Sequence, residues 1–148
     1  MQHDSAPMPT PQPVPDRTVD LADGLQAVRR GRRALARFLG HRGLLTGPDG
    51  RYTEQADHAL LVVSELVTNA CRHTPGPRHL GMALRGRVLL LDVGDRSRVP
   101  PRLVPPEGRG PAGGYGFRLI TELVDAWTVV PRHYGKSVRV TMIMTAPR

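Results

Sequence analysis

Ser64-Glu65-Leu66-Val67-Thr68-Asn69-Ala70-Cys71-Arg72-His73 is the stretch that decides how this chain is read. Leu66, Val67 and Ala70 fall at helical spacing, and the stripe runs back through Val63, Leu60, Ala59 and Ala56. Thr53 is placed to cap such a helix and Pro75-Gly76-Pro77 stops it, so the pattern predicts a helix from about Thr53 to Arg72. Glu65 and Asn69, four residues apart, stack on one face, with His73 a further turn on. A carboxylate beside a carboxamide suits a metal–nucleotide site. The Asn oxygen can ligate Mg²⁺, which takes few protein ligands, and the Glu can take a proton from an attacking hydroxyl. A solvated polar face has the same spacing, and spacing alone does not choose between them.

Toward the N-terminus, Leu21, Leu25, Val28, Leu35, Phe38 and Leu39 mark an amphipathic helix over Leu21–Leu39, with arginines 29, 30, 32, 33 and 37 on the remaining surface. Gly31 costs that helix about 1 kcal/mol relative to Ala, so packing must hold it. Residues 7–15 read PMPTPQPVP, which is extended and polyproline-like, and residues 1–17 are expected to be a disordered Pro-rich tail ahead of one domain at 18–148. Toward the C-terminus, His79–Arg85 alternates, Gly86 turns and Arg87–Val93 returns as an apolar strand: a hairpin. Residues 96–114, rich in proline and glycine, form a long loop of the kind that is usually functional or disordered. A short helix over Tyr115–Val124 precedes two closing strands, Ala126–Pro131 and Lys136–Thr145. This order predicts an α+β fold, a two-layer sandwich with helices on one face of a mixed, mostly antiparallel sheet.

Composition narrows the function classes. No apolar run in the 148 residues reaches the ~18–20 needed for a transmembrane helix, and the N-terminus lacks a Sec-type h-region. One cysteine, Cys71, cannot build a disulfide framework, so a reducing cytoplasm is the expected location. Cys71 itself reads as a small core residue and Trp127, the single tryptophan, as core packing. The net charge is +8, yet Lys136 is the only lysine among 21 cations, the skew that GC-rich codon usage produces. The basic balance therefore reflects codon bias as well as any acidic or nucleic-acid partner of the Arg29–Arg37 face.

Three further elements could carry chemistry. Asp95 ends the first hairpin, where a ligand can reach a carboxylate at the sheet rim. Gly113-Gly114-Tyr115-Gly116-Phe117 opens a helix whose free N–H groups attract phosphate. Gly135-Lys136-Ser137 starts a strand rather than a helix, so it is not a Walker loop. Singly these are weak, but their order is specific. Helical Glu65-x-x-x-Asn69, strand-end Asp95, a long loop, Gly114-x-Gly116 and the Gly-Lys-Ser strand resemble the Bergerat-fold, histidine-kinase-like ATPases. The segments SELVTNACRHT, GYGFRLITELVDAW and GKSVRV are similar to those of the anti-sigma-factor serine/threonine kinases of actinobacterial type, over roughly residues 20–145.

That resemblance implies ATP and Mg²⁺ as ligands and phosphoryl transfer to a small antagonist (anti-anti-sigma) protein. A sigma factor is a second candidate partner, a homodimer is compatible, and neither nucleic acid nor membrane is expected. Residue by residue, it implies Glu65 as general base, Asn69 as the magnesium-binding residue and Asp95 as acceptor for the adenine amino group. Gly114 and Gly116 would let backbone close on phosphates, residues 96–113 would form the ATP lid, and Ser137 would stand near the adenine. His73 and Phe117 complete the expected nucleotide-binding set. Two departures from the family pattern stand out: Asp95-Arg96-Ser97 replaces Asp-x-Gly, and Pro100-Pro101 with Pro105-Pro106 stiffen the lid. Two other readings stay open: a nucleotide-responsive module that transfers nothing, and a basic nucleic-acid-binding protein.

Overall fold

The computed structural model describes residues 14–21, 24–101 and 115–145. Strand β1 (Arg17–Asp20) and helices α1 (Gly24–His41) and α2 (Glu54–His73) come first. The hairpin of β2 (Pro77–Arg85) and β3 (Val88–Asp95), the helix α3 (Tyr115–Leu123) and the hairpin of β4 (Ala126–Arg132) and β5 (Gly135–Ile143) follow. The strands form one five-stranded sheet in the order β1-β2-β3-β5-β4, and each of the four pairings is antiparallel. The α+β expectation holds, with the sheet antiparallel throughout.

Alternation assigns the two faces of the sheet. Leu80 and Met82 of β2, Leu89, Leu91 and Val93 of β3, and Val138, Val140 and Met142 of β5 turn toward the helices and join the main core. Against them α2 packs Leu60, Val63, Leu66 and Val67, and α1 packs Leu35, Phe38 and Leu39. Thr53 caps α2, its hydroxyl accepting from the Ala56 amide at 3.0 Å. Glu54 and Asp57 lie in the first turn and Arg72 and His73 in the last, as the helix dipole favours. At Gly31 a Cβ would meet the Val67 side chain at 3.4 Å, an ordinary van der Waals contact, so the α1–α2 interface has room for a methyl group there but not for a larger side chain.

Four differences from the sequence reading have physical causes. Strand β1 was absent from it, because four residues with one apolar member, Val19, are too short to show alternation. Asp16, within the expected tail, already donates its amide to the Met82 carbonyl, and its carboxylate accepts from Leu84 and Arg85. Residues 1–13 lie outside the described residues. Strand β2 starts at Pro77, since a proline at the first strand position sacrifices no ladder bond. Finally, Trp127 is not core: it is 40% exposed on β4 and stands edge-on to Phe117 with centroids 4.9 Å apart.

Candidate functional site

Helix α2, the ends of β3 and β5, the start of α3 and the first loop residues enclose a cavity of about 310 Å³. Leu66 and Ala70 of α2, Val93 of β3, Val138 of β5 and Phe117 of α3 make it largely apolar. Asn69, His73 and Thr74 supply polar groups from α2, and Asp95 and Lys136 supply the charged pair at the strand ends. Val99, Pro100 and Pro101, from the start of the segment 96–113 expected as a lid, close one side.

Of the residues expected to form a site, the fold brings together Asn69, His73, Asp95 and Phe117. The Asn69 side chain makes no hydrogen bond to the described residues, so its half-buried carboxamide is available to a ligand. Glu65 lies a turn before Asn69 and is half-buried, outside the cavity wall itself. Gly116 is in the first turn of α3; Gly114 and the lid residues 102–113 lie outside the described residues.

Asp95 is 3% exposed, and two hydrogen bonds to its carboxylate and one from the next residue's amide position it. The Ser97 amide donates to its Oδ1 at 2.8 Å, Lys136 Nζ donates to the same oxygen at 2.9 Å, and the Arg96 amide beyond it donates to the Gly76 carbonyl at 3.2 Å. Gly135 permits this geometry, because a Cβ there would collide with the Asp95 carbonyl oxygen and lie 2.9 Å from Arg96. The second carboxylate oxygen, Oδ2, has no partner among the described residues. A buried acceptor left open calls for a donor from a ligand or from water.

Ser137 must be corrected. Alternation along β5 turns it to the sheet face away from the cavity, where its hydroxyl accepts from Arg132 Nε at 3.0 Å. Lys136 takes the cavity-facing position instead. The signal was in the sequence: Val138, Val140 and Met142 are the core-facing residues of this strand, and period two carries that face back to Lys136.

The far face holds a second polar group that the apolar reading of β3 concealed. Asp92 is 1% exposed, and its Oδ2 accepts from Arg139 Nε at 2.9 Å and Arg132 at 3.4 Å, with His79 Nε2 3.3 Å from Oδ1. Burial pushes the Asp92 carboxyl up, but the hydrogen bonds from His79 and Ser137 and the charges of Arg139 and Arg132 outweigh it. The net result holds the group below the usual carboxylate range. Cys71 packs against the core, partly buried, and burial raises its thiol pKa, which makes it a poor nucleophile at neutral pH.

A cavity with apolar walls, one buried carboxylate and a carboxamide some distance along a helix fits a flat heterocycle with an exocyclic amine and a charged tail. The model of the histidine kinase-like ATPase domain family matches residues 21–143. The RsbU and RsbW domains of Rv1364c from Mycobacterium tuberculosis share the fold, with a TM-score of 0.63 and 20% identity over 91% of this chain. The chain spans 34% of that protein's length. The histidine kinase domain of a blue-light activated histidine kinase from Erythrobacter litoralis gives a TM-score of 0.45 at 21% identity, over 84% of this chain and 67% of that one. No curated protein matches significantly.

Proposed function

Because the chain belongs to the histidine kinase-like ATPase domain family, we propose that it binds Mg-ATP in the α2–α3 cavity and phosphorylates a serine or threonine of a small antagonist protein. The observation that carries this is Asp95: a buried carboxylate with one oxygen open to an apolar cavity, opposite the free carboxamide of Asn69. Asp95 Oδ2 would accept from the amino group of adenine, where guanine offers an oxygen and leaves two acceptors facing each other. The apolar walls would hold the ring, and Phe117 at the start of α3 would place the phosphates near that helix's N-terminus.

The polar set fits a divalent cation of the Mg²⁺ type, since such an ion needs one or two protein oxygens and takes the rest from phosphate and water. Asn69 Oδ1 would hold it, and the ion when bound would neutralise charge on the phosphates. The other steps belong to this chain and its substrates. The hydroxyl oxygen of the acceptor serine attacks the γ-phosphorus, Glu65 takes the hydroxyl proton, and the bond to the bridging oxygen breaks to release ADP. His73, in the last turn of α2 and on the cavity wall, would steady phosphate when protonated. Among the described residues no helix is long and apolar enough to cross a membrane.

One observation favours a nucleotide-responsive module without transfer: Pro100-Pro101 forms part of the cavity wall, and the fixed φ of the two prolines restricts how that wall can rearrange. Glu65→Ala separates the two readings. It should retain Mg-ATP in calorimetry and lose about 10²–10⁴-fold in phosphotransfer to the antagonist, because a general base acts in the transition state rather than in binding. A native protein that binds Mg-ATP and never labels an antagonist would leave the binding module as the function.

A further inference from the structure

We infer that Lys136 is a specificity residue of this site, reading the ring nitrogen N1 of the purine beside the amino group that Asp95 reads; the inference rests on the nucleotide-binding reading above. The residue has no counterpart in the polar set the sequence suggested. It is buried, lines the cavity, and is the single lysine of the chain.

The argument is an inventory of hydrogens and lone pairs. An ammonium carries three donors and no acceptor. Lys136 Nζ gives one to Asp95 Oδ1 at 2.9 Å and one to the Ser97 carbonyl oxygen at 3.2 Å. The third has no acceptor among the described residues. Across the same pair, Asp95 Oδ1 is already filled by Lys136 and the Ser97 amide, whereas Oδ2 is open. The cavity end therefore offers one acceptor and one donor side by side, both desolvated and both held by the protein. Asn and Gln side chains present the same acceptor–donor pair when they grip adenine through its amino group and N7; here the pair is assigned to the other edge, the amino group and N1.

A carboxylate alone reads only the amine, and the adjoining N1 lone pair would then need water or would be buried without a donor. With Lys136 in place, adenine satisfies both groups: the amine donates to Asp95 Oδ2 and N1 accepts from Lys136 Nζ. In the same register guanine mispairs twice, placing its oxygen against the carboxylate and its N1–H against the ammonium. Lys136 thus sharpens the choice between the purines and also fixes how the ring lies in the slot.

Calorimetric competition between ATP and 1-deaza-ATP tests this, with 7-deaza-ATP as the control for altered ring electronics. The native protein should bind 1-deaza-ATP about tenfold or more weakly than ATP, the range of a hydrogen bond to a charged group, and should bind 7-deaza-ATP like ATP. Lys136→Met, shown by circular dichroism to be folded, should bind ATP and 1-deaza-ATP alike, and Lys136→Arg should restore part of the difference. Equal affinity of the native protein for ATP and 1-deaza-ATP would overturn the role of Lys136 and leave nucleotide binding standing. Failure of the native protein to bind any of the three would overturn the nucleotide reading and this one with it. The native comparison alone decides the matter if the Met variant does not fold.

Discussion

Removing the carboxylate of Asp92 should cost stability, not nucleotide binding, and the size of the loss follows from who is left behind. In Asp92→Ala three basic partners lose their acceptor: Arg139 at 2.9 Å, Arg132 at 3.4 Å and His79 at 3.3 Å. Arg132 and His79, with side chains 30% and 24% exposed, can turn to water and contribute little. Arg139, 6% exposed, has little access to water to replace the lost carboxylate. Stripping one partner from a buried pair costs about 3–5 kcal/mol, and the relief available to the other two puts the expectation near ~3 kcal/mol. For a domain of this size that is a fall in Tm of about 6–12 °C. Asp92→Asn keeps an acceptor without the charge and should lose roughly half as much. The pH dependence has a definite sign. The native Asp92 carboxyl is held below its ordinary range, so the stability it adds is fully present above the unfolded value near ~4 and declines as pH falls through the folded one. Urea unfolding of the three proteins between neutral and acidic pH is the assay. An Asp92→Ala protein within about 1 kcal/mol of native at neutral pH, or one with an unchanged acid limb, would refute the reasoning.

Two other outcomes follow from the packing. Gly31→Ala should raise stability by about 0.5–1 kcal/mol, since helix propensity improves and the new methyl meets Val67 at 3.4 Å, while Gly31→Leu should lower it by about 1–3 kcal/mol by forcing α1 off α2; urea midpoints check both. Trp127, edge-on to Phe117 on the cavity wall, should report occupancy: its emission should change saturably on Mg-ATP titration, and Phe117→Leu should blunt that change. Constant emission through a titration that calorimetry shows to bind would mean that Phe117 does not sense the ligand.

The parts of this molecule that were legible in the sequence are those where one strong periodicity meets clear boundary signals. Helix α2 has a cap, a stripe and a Pro-Gly-Pro stop, and its polar face carries Asn69 and His73 into the cavity as read. Strand β1, four residues with one apolar member, offered no period to detect; it is defined by pairing with β2, where Pro15 lies across Gly81, a contact between segments far apart in the chain. Asp92 was hidden by its surroundings: a strand buried on both faces reads as one apolar run, and the arginines that satisfy the carboxylate come from β4 and β5. The Ser137 and Lys136 positions were within reach of simple alternation, but a motif read as a string of letters does not say which letter faces the ligand. Trp127 shows the limit of composition, since size and scarcity favour the core while its place on an edge strand leaves it half in solvent.

The central claim is that the cavity between α2 and α3 holds an adenine nucleotide through the open oxygen of Asp95, and calorimetric titration of Mg-ATP into the native and Asp95→Asn proteins tests it most directly. Asn at this position preserves size and keeps Oδ1 as acceptor for the Ser97 amide and Lys136, while its NH2 puts a donor where the open Oδ2 acceptor faced the ligand. The native protein should bind Mg-ATP in preference to Mg-GTP, and Asp95→Asn should bind Mg-ATP at least about tenfold more weakly, the equivalent of ~1.4 kcal/mol. Equal affinity of the native and variant proteins for Mg-ATP, or no preference of the native protein between the two nucleotides, would contradict it.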